Sequence, residues 1–263
     1  MDPVAERRLR ELAARYGFDG AALWKLAALL DALAGDDTAP TPIRDPARAV
    51  DAHVADSLSA LELDPVREAH RIADLGAGAG FPGAALAAVL PHARVSLLES
   101  VGRKAAFLTR AVTAAGLTNV EVVPERVELW DAGHERFDLV TARALAPLAV
   151  IAEYAAPLLI HEGWLVAWKG RRSEDEEAAG DRAASLVGLA WREIRRVEPF
   201  VAAGERHLHL FQKIAPTPEG FPRRPGMARK RPLGREGGPL AEAAQSPDAA
   251  LQEGEPASTR DPR

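Results

Sequence analysis

Apolar residues recur every three or four positions in three stretches before residue 65, and this spacing predicts three helices. The first has Leu9, Leu12 and Tyr16 on one face, with Pro3 at its start and Gly17 at its end. The second carries leucines at positions 23, 26, 30 and 33, and the third opens at residue 45 with apolar positions 50, 54, 58 and 61. We therefore expect residues 1–65 to form an N-terminal helical extension.

From residue 71 onward, short β-rich runs alternate with segments of helix length, which is the pattern of parallel βαβ units. The predicted strands are residues 71–75, 94–98, 120–123, 137–141 and 164–168, and the helices between them are residues 83–90, 102–115, 147–159 and 173–187. Two closing runs, 191–197 and 207–214, predict an antiparallel hairpin at the sheet edge. The expected class is α/β, with a mostly parallel seven-stranded sheet in residues 66–214.

Residues 215–263 differ in composition, since they hold 9 prolines and 6 glycines among 49 residues. That share exceeds the level of about 25–30% at which low-complexity disorder is expected. Within this predicted tail, residues 221–235 carry six basic and no acidic residues, whereas residues 236–263 carry six acidic and two basic residues. The basic segment is a candidate contact for a polyanion.

The overall composition excludes several classes of protein. The chain has 263 residues, 47% hydrophobic and 27% charged, with a formal net charge of −5, as in ordinary globular proteins. It contains no cysteine, which excludes disulfides, thiolate zinc sites and iron–sulfur clusters. Its longest apolar run, residues 144–160, is interrupted by Pro147, Glu153 and Pro157 and is shorter than a bilayer span. The N-terminus has no signal-type segment, so we expect a cytoplasmic protein without a membrane partner.

A glycine-rich turn follows the first predicted strand and opens the next helix. Gly76, Gly78 and Gly80 occupy its first, third and fifth positions, where glycine permits positive φ and close approach of a ligand. A dinucleotide fingerprint needs glycine at the sixth position, which here is Phe81. Glu99 ends the second strand, where a carboxylate accepts hydrogen bonds from both ribose hydroxyls. The pattern favours an S-adenosylmethionine site over a pyrophosphate site.

Six ordered motifs over residues 40–214 resemble one family, the bacterial 16S ribosomal RNA guanine-N7 methyltransferases, also called glucose-inhibited division protein B. These motifs are Arg44-Asp45-Pro46 with His53, Asp56 and Ser57, the turn GAGAGFPG, Glu99-Ser100 with Gly102-Arg103-Lys104, Arg126-Val127-Glu128, Thr141-Ala142-Arg143-Ala144, and Lys169-Gly170. The resemblance implies a Rossmann-like methyltransferase fold, S-adenosylmethionine as methyl donor, and a guanine in the decoding-centre loop of 16S rRNA, free or in the small subunit, as acceptor.

The resemblance also assigns residues to the cofactor. Its contacts would fall on Gly76, Phe81, Val127, Glu128 and Arg143 of this chain. Two features depart from the family. Residues 39–43 lack the polar segment that often precedes the Arg-Asp-Pro motif, and the resemblance does not explain the acidic end beyond residue 236.

Guanine N7 is a lone-pair nucleophile with no proton to lose, so methyl transfer to it requires alignment rather than a general base. Arg143 is the candidate catalytic residue, because its guanidinium can hold the methionine carboxylate or guanine O6. We expect Arg143→Ala to keep the fold and to lose activity. His53, Asp56 and Ser57 share a helix face and are expected to form a polar network, not a metal site.

Basic residues are the candidate contacts to RNA phosphates. They are Arg103, Lys104, Arg126, Lys169, Arg223, Arg224, Arg229, Lys230 and Arg231. Surface ion pairing is the ordinary alternative for each of them. We expect a monomer with no bound metal.

Two other functions stay open from the sequence. One is a nicotinamide-dependent oxidoreductase on the same sheet, disfavoured by Phe81 and by the absence of a Tyr-x-x-x-Lys pair at either tyrosine, Tyr16 or Tyr154. The other is an RNA-binding scaffold with an inactive pocket. Binding of S-adenosylmethionine, of NAD, or of neither distinguishes the three hypotheses.

Overall fold

A computed structural model of the chain describes residues 2–234. Its centre is a sheet of seven strands in the order β3-β2-β1-β4-β5-β7-β6. The strands are β1 (Arg71–Leu75), β2 (Arg94–Leu98), β3 (Val120–Val123), β4 (Phe137–Arg143), β5 (Leu159–Lys169), β6 (Leu189–Arg196) and β7 (His207–Lys213). Strands β1 to β5 pair in parallel, and β7 is antiparallel to both β5 and β6. The predicted sheet and its closing hairpin are confirmed.

Helices cover both faces of the sheet. They are α6 (Gly83–Val89), α7 (Gly102–Ala114), α8 (Leu148–Ala155) and α9 (Glu174–Leu186). Alternate residues of β1 enter different cores, since Ile72 packs with α6, α7 and the N-terminal helices, whereas Ala73 and Leu75 pack with α8 and α9. Because β1 and β4 are neighbours while their following helices lie on opposite faces, a crevice opens at the carboxyl ends of these two strands.

The first two predicted helices are present as α1 (Pro3–Tyr16) and α2 (Gly20–Gly35). The Asp2 carboxylate accepts the N–H groups of Val4 and Ala5, which caps α1, and Gly17 ends it with φ 74°. The buried leucines of both helices join the same core as Ile72 of the sheet. The helical extension is therefore packed onto the sheet unit rather than tethered to it.

The third predicted helix is not regular. It runs as α3 (Pro46–Ala49), a π-helical segment (Val50–Ala55), α4 (Asp56–Leu58) and a 3₁₀ segment (Ser59–Glu62), followed by α5 (Asp64–Arg67). The predicted apolar face at positions 50, 54, 58 and 61 is buried, but the assumption of a uniform α-helix was wrong. Hydrophobic spacing does not reveal a change of helical pitch. A π turn widens the helix locally and frequently marks functional residues.

Two strands are longer than predicted. Strand β4 extends to Arg143, and β5 begins at Leu159 instead of residue 164. The polar stretch between Ile160 and Gly163 hides the start of β5, because it contains Glu162 at φ 65° and coincides with a shift in the β4–β5 register. Alternation of apolar and polar residues fails at such irregularities.

The expectation of a disordered tail is wrong for residues 215–234. Ala228 and Leu233 are buried against α8 and α9, and α10 (Met227–Lys230) lies in this segment. Arg223 forms an ion pair with Glu153, which is fully buried on α8. Composition did not reveal this partner, because it lies 70 residues away in the chain. The acidic segment, residues 236–263, lies outside the described residues.

Candidate functional site

The glycine-rich turn lies at the carboxyl end of β1. Gly76, Gly78 and Gly80 have φ values of 66°, 55° and 98°, a region that residues with side chains rarely adopt. A Cβ on Gly76 would lie 2.6 Å from Cδ1 of Leu145, which belongs to the loop after β4. The turn thus brings bare main chain to the crevice, with Leu145 packed over it.

Asp74 fixes the position of this turn through hydrogen bonds, a role that was not predicted from the sequence. Its buried carboxylate accepts the N–H of Gly83 at 3.0 Å and the hydroxyl of Thr141 on β4 at 2.8 Å. Burial raises the pKa of Asp74 to about 6. The available signal was an acidic residue in the apolar part of β1, two positions before Gly76.

Glu99 lies beside the turn, as its position at the end of β2 predicts. One carboxylate oxygen accepts the N–H of Gly78 at 3.2 Å, and the other accepts the N–H of Val101 at 2.8 Å. The side chain is almost fully buried. Each carboxylate oxygen has a second lone pair, so Glu99 can still accept a pair of ligand hydroxyls while its orientation is fixed by main chain.

A cavity of about 170 Å³ lies between the carboxyl ends of β1, β2 and β4 and the loop that follows β3. Its wall contains Leu75, Gly76, Leu98, Ser100, Glu125, Arg126, Val127, Glu128, Leu145, Tyr154 and Arg229. The Tyr154 hydroxyl donates to Oε1 of Glu128 at 3.0 Å, and burial raises the pKa of this tyrosine to about 12. The structure therefore brings together Gly76, Val127 and Glu128, three of the candidate cofactor residues.

Arg143, the last residue of β4, lies at the other end of the crevice against the N-terminal helices. Its Nη1 donates to Oδ2 of Asp56 at 2.7 Å and to the carbonyl of Ala52 at 3.0 Å, and Nη2 lies 3.4 Å from Nδ1 of His53. A guanidinium has five N–H donors, and these contacts use three. Within residues 2–234 the other two donors have no partner, so they can bind a ligand.

His53 and Phe81 form the wall beside Arg143. Their rings stack at 5.1 Å between centroids and 17° between planes, and the Arg143 guanidinium lies 5.9 Å from the Phe81 centroid. Burial and the neighbouring Arg143 charge lower the pKa of His53 to about 4. The ring is thus neutral, with Nδ1 facing a donor and Nε2 facing the hydroxyl of Thr41 at 3.1 Å. Phe81 therefore belongs to the wall beside Arg143 and does not line the cavity around Glu128.

The expected polar network is present and larger than predicted. Asp56 also accepts from Nε of Arg206 at 3.2 Å, and the Trp168 indole donates to the Asp56 carbonyl at 2.9 Å. No role for Arg206 could be predicted from the sequence, because this residue lies 150 residues from Asp56. Asp56 is nearly buried, so removal of Arg143 would leave its carboxylate with Arg206 alone. Arg143→Ala is therefore expected to cost some stability as well as activity.

The candidate RNA contacts fall into two groups. Among the described residues, Arg103, Lys104 and Arg126 form no ion pair, and Arg224, Lys230 and Arg231 are exposed on the C-terminal segment without an ion pair. The others have protein partners. Lys169 pairs with Glu176 at 2.5 Å, Arg223 pairs with buried Glu153, and Arg229 donates to the carbonyl of Leu145 at 3.0 Å. Arg223 thus has a structural partner in place of phosphate.

Within residues 2–234 no cluster of three His, Asp or Glu residues is arranged to hold a metal ion. No helix in the same part of the chain combines the length and the apolarity needed to cross a membrane.

Comparison with known proteins identifies a family that this chain matches. The model of the family described as rRNA small subunit methyltransferase G matches residues 25–208. A protein of Rubrobacter xylanophilus named ribosomal RNA small subunit methyltransferase G is 43% identical over 201 residues, which cover 74% of this chain and 77% of that protein. A protein of Chloroflexus aggregans with the same name is 42% identical over 198 residues, covering 73% of this chain and 82% of that protein.

A solved structure shares the fold. The crystal structure of a mutant of MtNAS in complex with S-adenosylmethionine has a TM-score of 0.51 and 16% sequence identity, and the match covers 73% of this chain and 72% of that chain. At this identity the likeness concerns the fold alone.

Proposed function

Because the chain belongs to the rRNA small subunit methyltransferase G family and is an S-adenosylmethionine-dependent methyltransferase, we propose that it methylates N7 of a guanine in the decoding-centre loop of 16S rRNA. The observation that carries this proposal is the arrangement at the carboxyl edge of the sheet. A main-chain turn with Glu99 lies at one end of the crevice, and Arg143, with two unused donors, lies at the other.

The residues present fit the cofactor. Gly76 and Gly78 give close approach to main chain, Glu99 offers two oxygens to ribose hydroxyls, and Glu128 offers Oε2 to a purine amino group. S-adenosylmethionine, when bound, supplies an electrophilic methyl group on a sulfonium sulfur. The protein's task is to hold donor and acceptor in line, and such alignment can supply much of the rate acceleration.

The acceptor end suits a nucleophile that needs no deprotonation. His53 lies beside Arg143, but its pKa of about 4 and its bond to Thr41 make it a poor base at neutral pH. Arg143 is held by Asp56, and its remaining donors can bind guanine O6 or the methionine carboxylate. Binding O6 leaves the N7 lone pair free to attack. We therefore assign Arg143 to positioning of the reacting groups.

For the RNA, we propose phosphate contacts from those candidate cations whose side chains form neither an ion pair nor a hydrogen bond within residues 2–234. These are Arg103, Lys104, Arg126, Arg224, Lys230 and Arg231. Arg103 and Lys104 lie in the first turn of α7, four and five residues after Glu99, so they flank the cofactor end of the crevice. The partner is 16S rRNA, free or in the small subunit, and the reaction takes place in the cytoplasm. The monomeric state stays a prediction.

The test is to map N7-methylguanine in 16S rRNA from cells with and without this chain, by mass analysis of defined rRNA fragments. We expect one modified guanine to disappear with the protein and to return with the wild-type chain but not with Arg143→Ala. Calorimetry with S-adenosylmethionine is the companion measurement. The assignment would be rejected if 16S rRNA from wild-type cells contained no N7-methylguanine that depends on this chain. It would also be rejected if the dependent methyl group were on another atom.

A further inference from the structure

Residues 217–234, here called the C-terminal strap, cross α8, pass beside the cofactor cavity and end against α9. The strap's start is held where the buried Lys213 ammonium donates to the carbonyl of Ala156 and contacts the Thr217 hydroxyl. At its far end Arg182 of α9 donates to the carbonyl of Gly234 at 2.7 Å. The family match ends at residue 208, so the whole strap lies beyond it.

A buried ion pair fixes the middle of the strap. Glu153 of α8 is fully buried, and all three hydrogen bonds that its carboxylate accepts within residues 2–234 come from Arg223. They are donated by the backbone N–H at 3.1 Å, by Nε at 2.8 Å and by Nη2 at 2.6 Å. A buried carboxylate is costly without such partners. The strap must therefore stay docked for Glu153 to remain paired.

Beyond this anchor the strap reaches two residues of the cavity wall. The N–H of Gly226 donates to Oε1 of Glu128 at 3.0 Å, beside the bond from Tyr154. The Arg229 guanidinium donates to the carbonyl of Leu145 at 3.0 Å and itself lines the cavity. Leu145 is the residue packed over Gly76 of the glycine turn.

We propose that Gly226 and Arg229 are cofactor-positioning residues, and that the strap completes the adenine end of the S-adenosylmethionine pocket. Gly226 and Tyr154 both hold Oε1 of Glu128, which orients Oε2 toward the ligand. Arg229 fixes Leu145 above the turn. This inference rests on the proposed cofactor site, and it gives Arg229 a role different from the phosphate contact expected from the sequence.

The test compares Arg229→Met with Arg224→Met, which makes the same charge change at an exposed position of the same strap. Calorimetry measures the Kd for S-adenosylmethionine and for its demethylated product, and fluorescence anisotropy measures the affinity for a 16S rRNA fragment. We expect Arg229→Met to weaken cofactor binding about fivefold, which is close to the average net contribution of a single hydrogen bond. The KM for the cofactor should rise equally, with kcat nearly unchanged. Arg224→Met should leave the cofactor Kd at the wild-type value.

Two results would overturn the proposal. One is an unchanged cofactor Kd in a folded Arg229→Met protein with the wild-type Tm. The other is a loss confined to rRNA affinity, which would return Arg229 to the phosphate contacts. If the wild-type chain bound no S-adenosylmethionine, the proposed function itself would fail, and calorimetry on the wild type distinguishes that case.

A second measurement uses the wild-type protein. It is possible because the coupling between cofactor binding and strap docking acts equally in both directions. If the strap stabilises the bound cofactor, the cofactor must stabilise the docked strap. Trypsin cleavage after Arg229 or Lys230, followed by mass spectrometry, should slow several-fold when the product of methyl transfer saturates the site. A cleavage rate that the ligand leaves unchanged contradicts the proposal.

Discussion

The two ends of the crevice are built differently. The glycine turn at the cofactor end is continuous in sequence, and Glu99, which accepts the N–H of Gly78, lies only 21 residues away. The acceptor end consists of side chains from distant segments, where Arg143 meets Asp56 across 87 residues and Arg206 meets Asp56 across 150. The first is specified locally, whereas the second exists only when the helical extension is docked on the sheet. Substitutions at the two ends should therefore affect different properties of the enzyme.

The largest expected effect is at the acceptor end. Arg143→Ala should lower kcat about 10²-fold to 10³-fold, as removal of a charge-stabilising donor does in other active sites. Its cofactor Kd should change much less. Steady-state kinetics on 16S rRNA, with calorimetry on the same protein, measures both quantities.

Arg143→Lys is the matched control, because it keeps the charge beside Asp56 but loses the planar fork. We expect it to recover most of the lost stability and little of the lost rate. A lysine variant with wild-type kcat would show that the charge alone suffices and would contradict bidentate positioning.

The second effect concerns the free energy of unfolding, which should depend on pH with opposite sign at the two ends of the crevice. The pKa of Asp74 is raised to about 6, so its contribution to stability is present at low pH and is lost as the pH rises through 6. The pKa of His53 is lowered to about 4, so its contribution is present above the ordinary histidine range and is lost as the pH falls toward 4. Each amounts to about 2–3 kcal/mol between pH 7 and pH 4.

Urea unfolding of the wild type, Asp74→Asn and His53→Gln from pH 4 to pH 7 tests this contrast. Relative to the wild type, Asp74→Asn should lose most stability at pH 4, whereas the deficit of His53→Gln should be greatest at pH 7. Parallel stability curves for the three proteins would mean that neither group has the shifted pKa. His209, also buried with a lowered pKa, affects all three proteins equally.

The third effect tests the local character of the cofactor end. Gly76→Ala places a Cβ at positive φ and 2.6 Å from Cδ1 of Leu145. Holding the turn in its binding conformation should then cost about 2 kcal/mol, which lowers cofactor affinity about thirtyfold. Gly20→Ala, where a Cβ meets nothing within 4 Å, is the control. Calorimetry should show weakened cofactor binding for the first protein only. Equal Kd values for the two would remove Gly76 from the site.

The smallest effect concerns the RNA. The double variant Arg103→Met, Lys104→Met removes two proposed phosphate contacts beside the cofactor end. The slope of log affinity for a 16S rRNA fragment against log salt should become shallower by about 1.4, with cofactor binding unchanged. Titrations at several salt concentrations measure the slope. A slope equal to that of the wild type would assign both residues to the solvated surface.

Most of the sheet could be predicted because strands and helices carry local hydrophobic patterns, and because parallel strands place their carboxyl ends together. Gly76 and Glu99 were accessible to the same reasoning, since each follows a predicted strand. The π-helical segment around His53 was not, because its apolar spacing resembles that of an ordinary helix. The docking of residues 215–234 was also missed, because it depends on a buried carboxylate elsewhere in the chain.

The sequence by itself determined the order of strands and helices, the glycine turn with its acidic neighbour, and the family. These features depend on local backbone preference and on residues close together in the chain. Only the tertiary structure decided that Arg143 is held by Asp56, that Arg223 pairs with Glu153, and that Arg229 reaches the loop over Gly76. The physical reason is that a charged side chain binds the opposite charge or free carbonyl that the folded chain places beside it. The residues near it in the sequence do not reveal which partner that is.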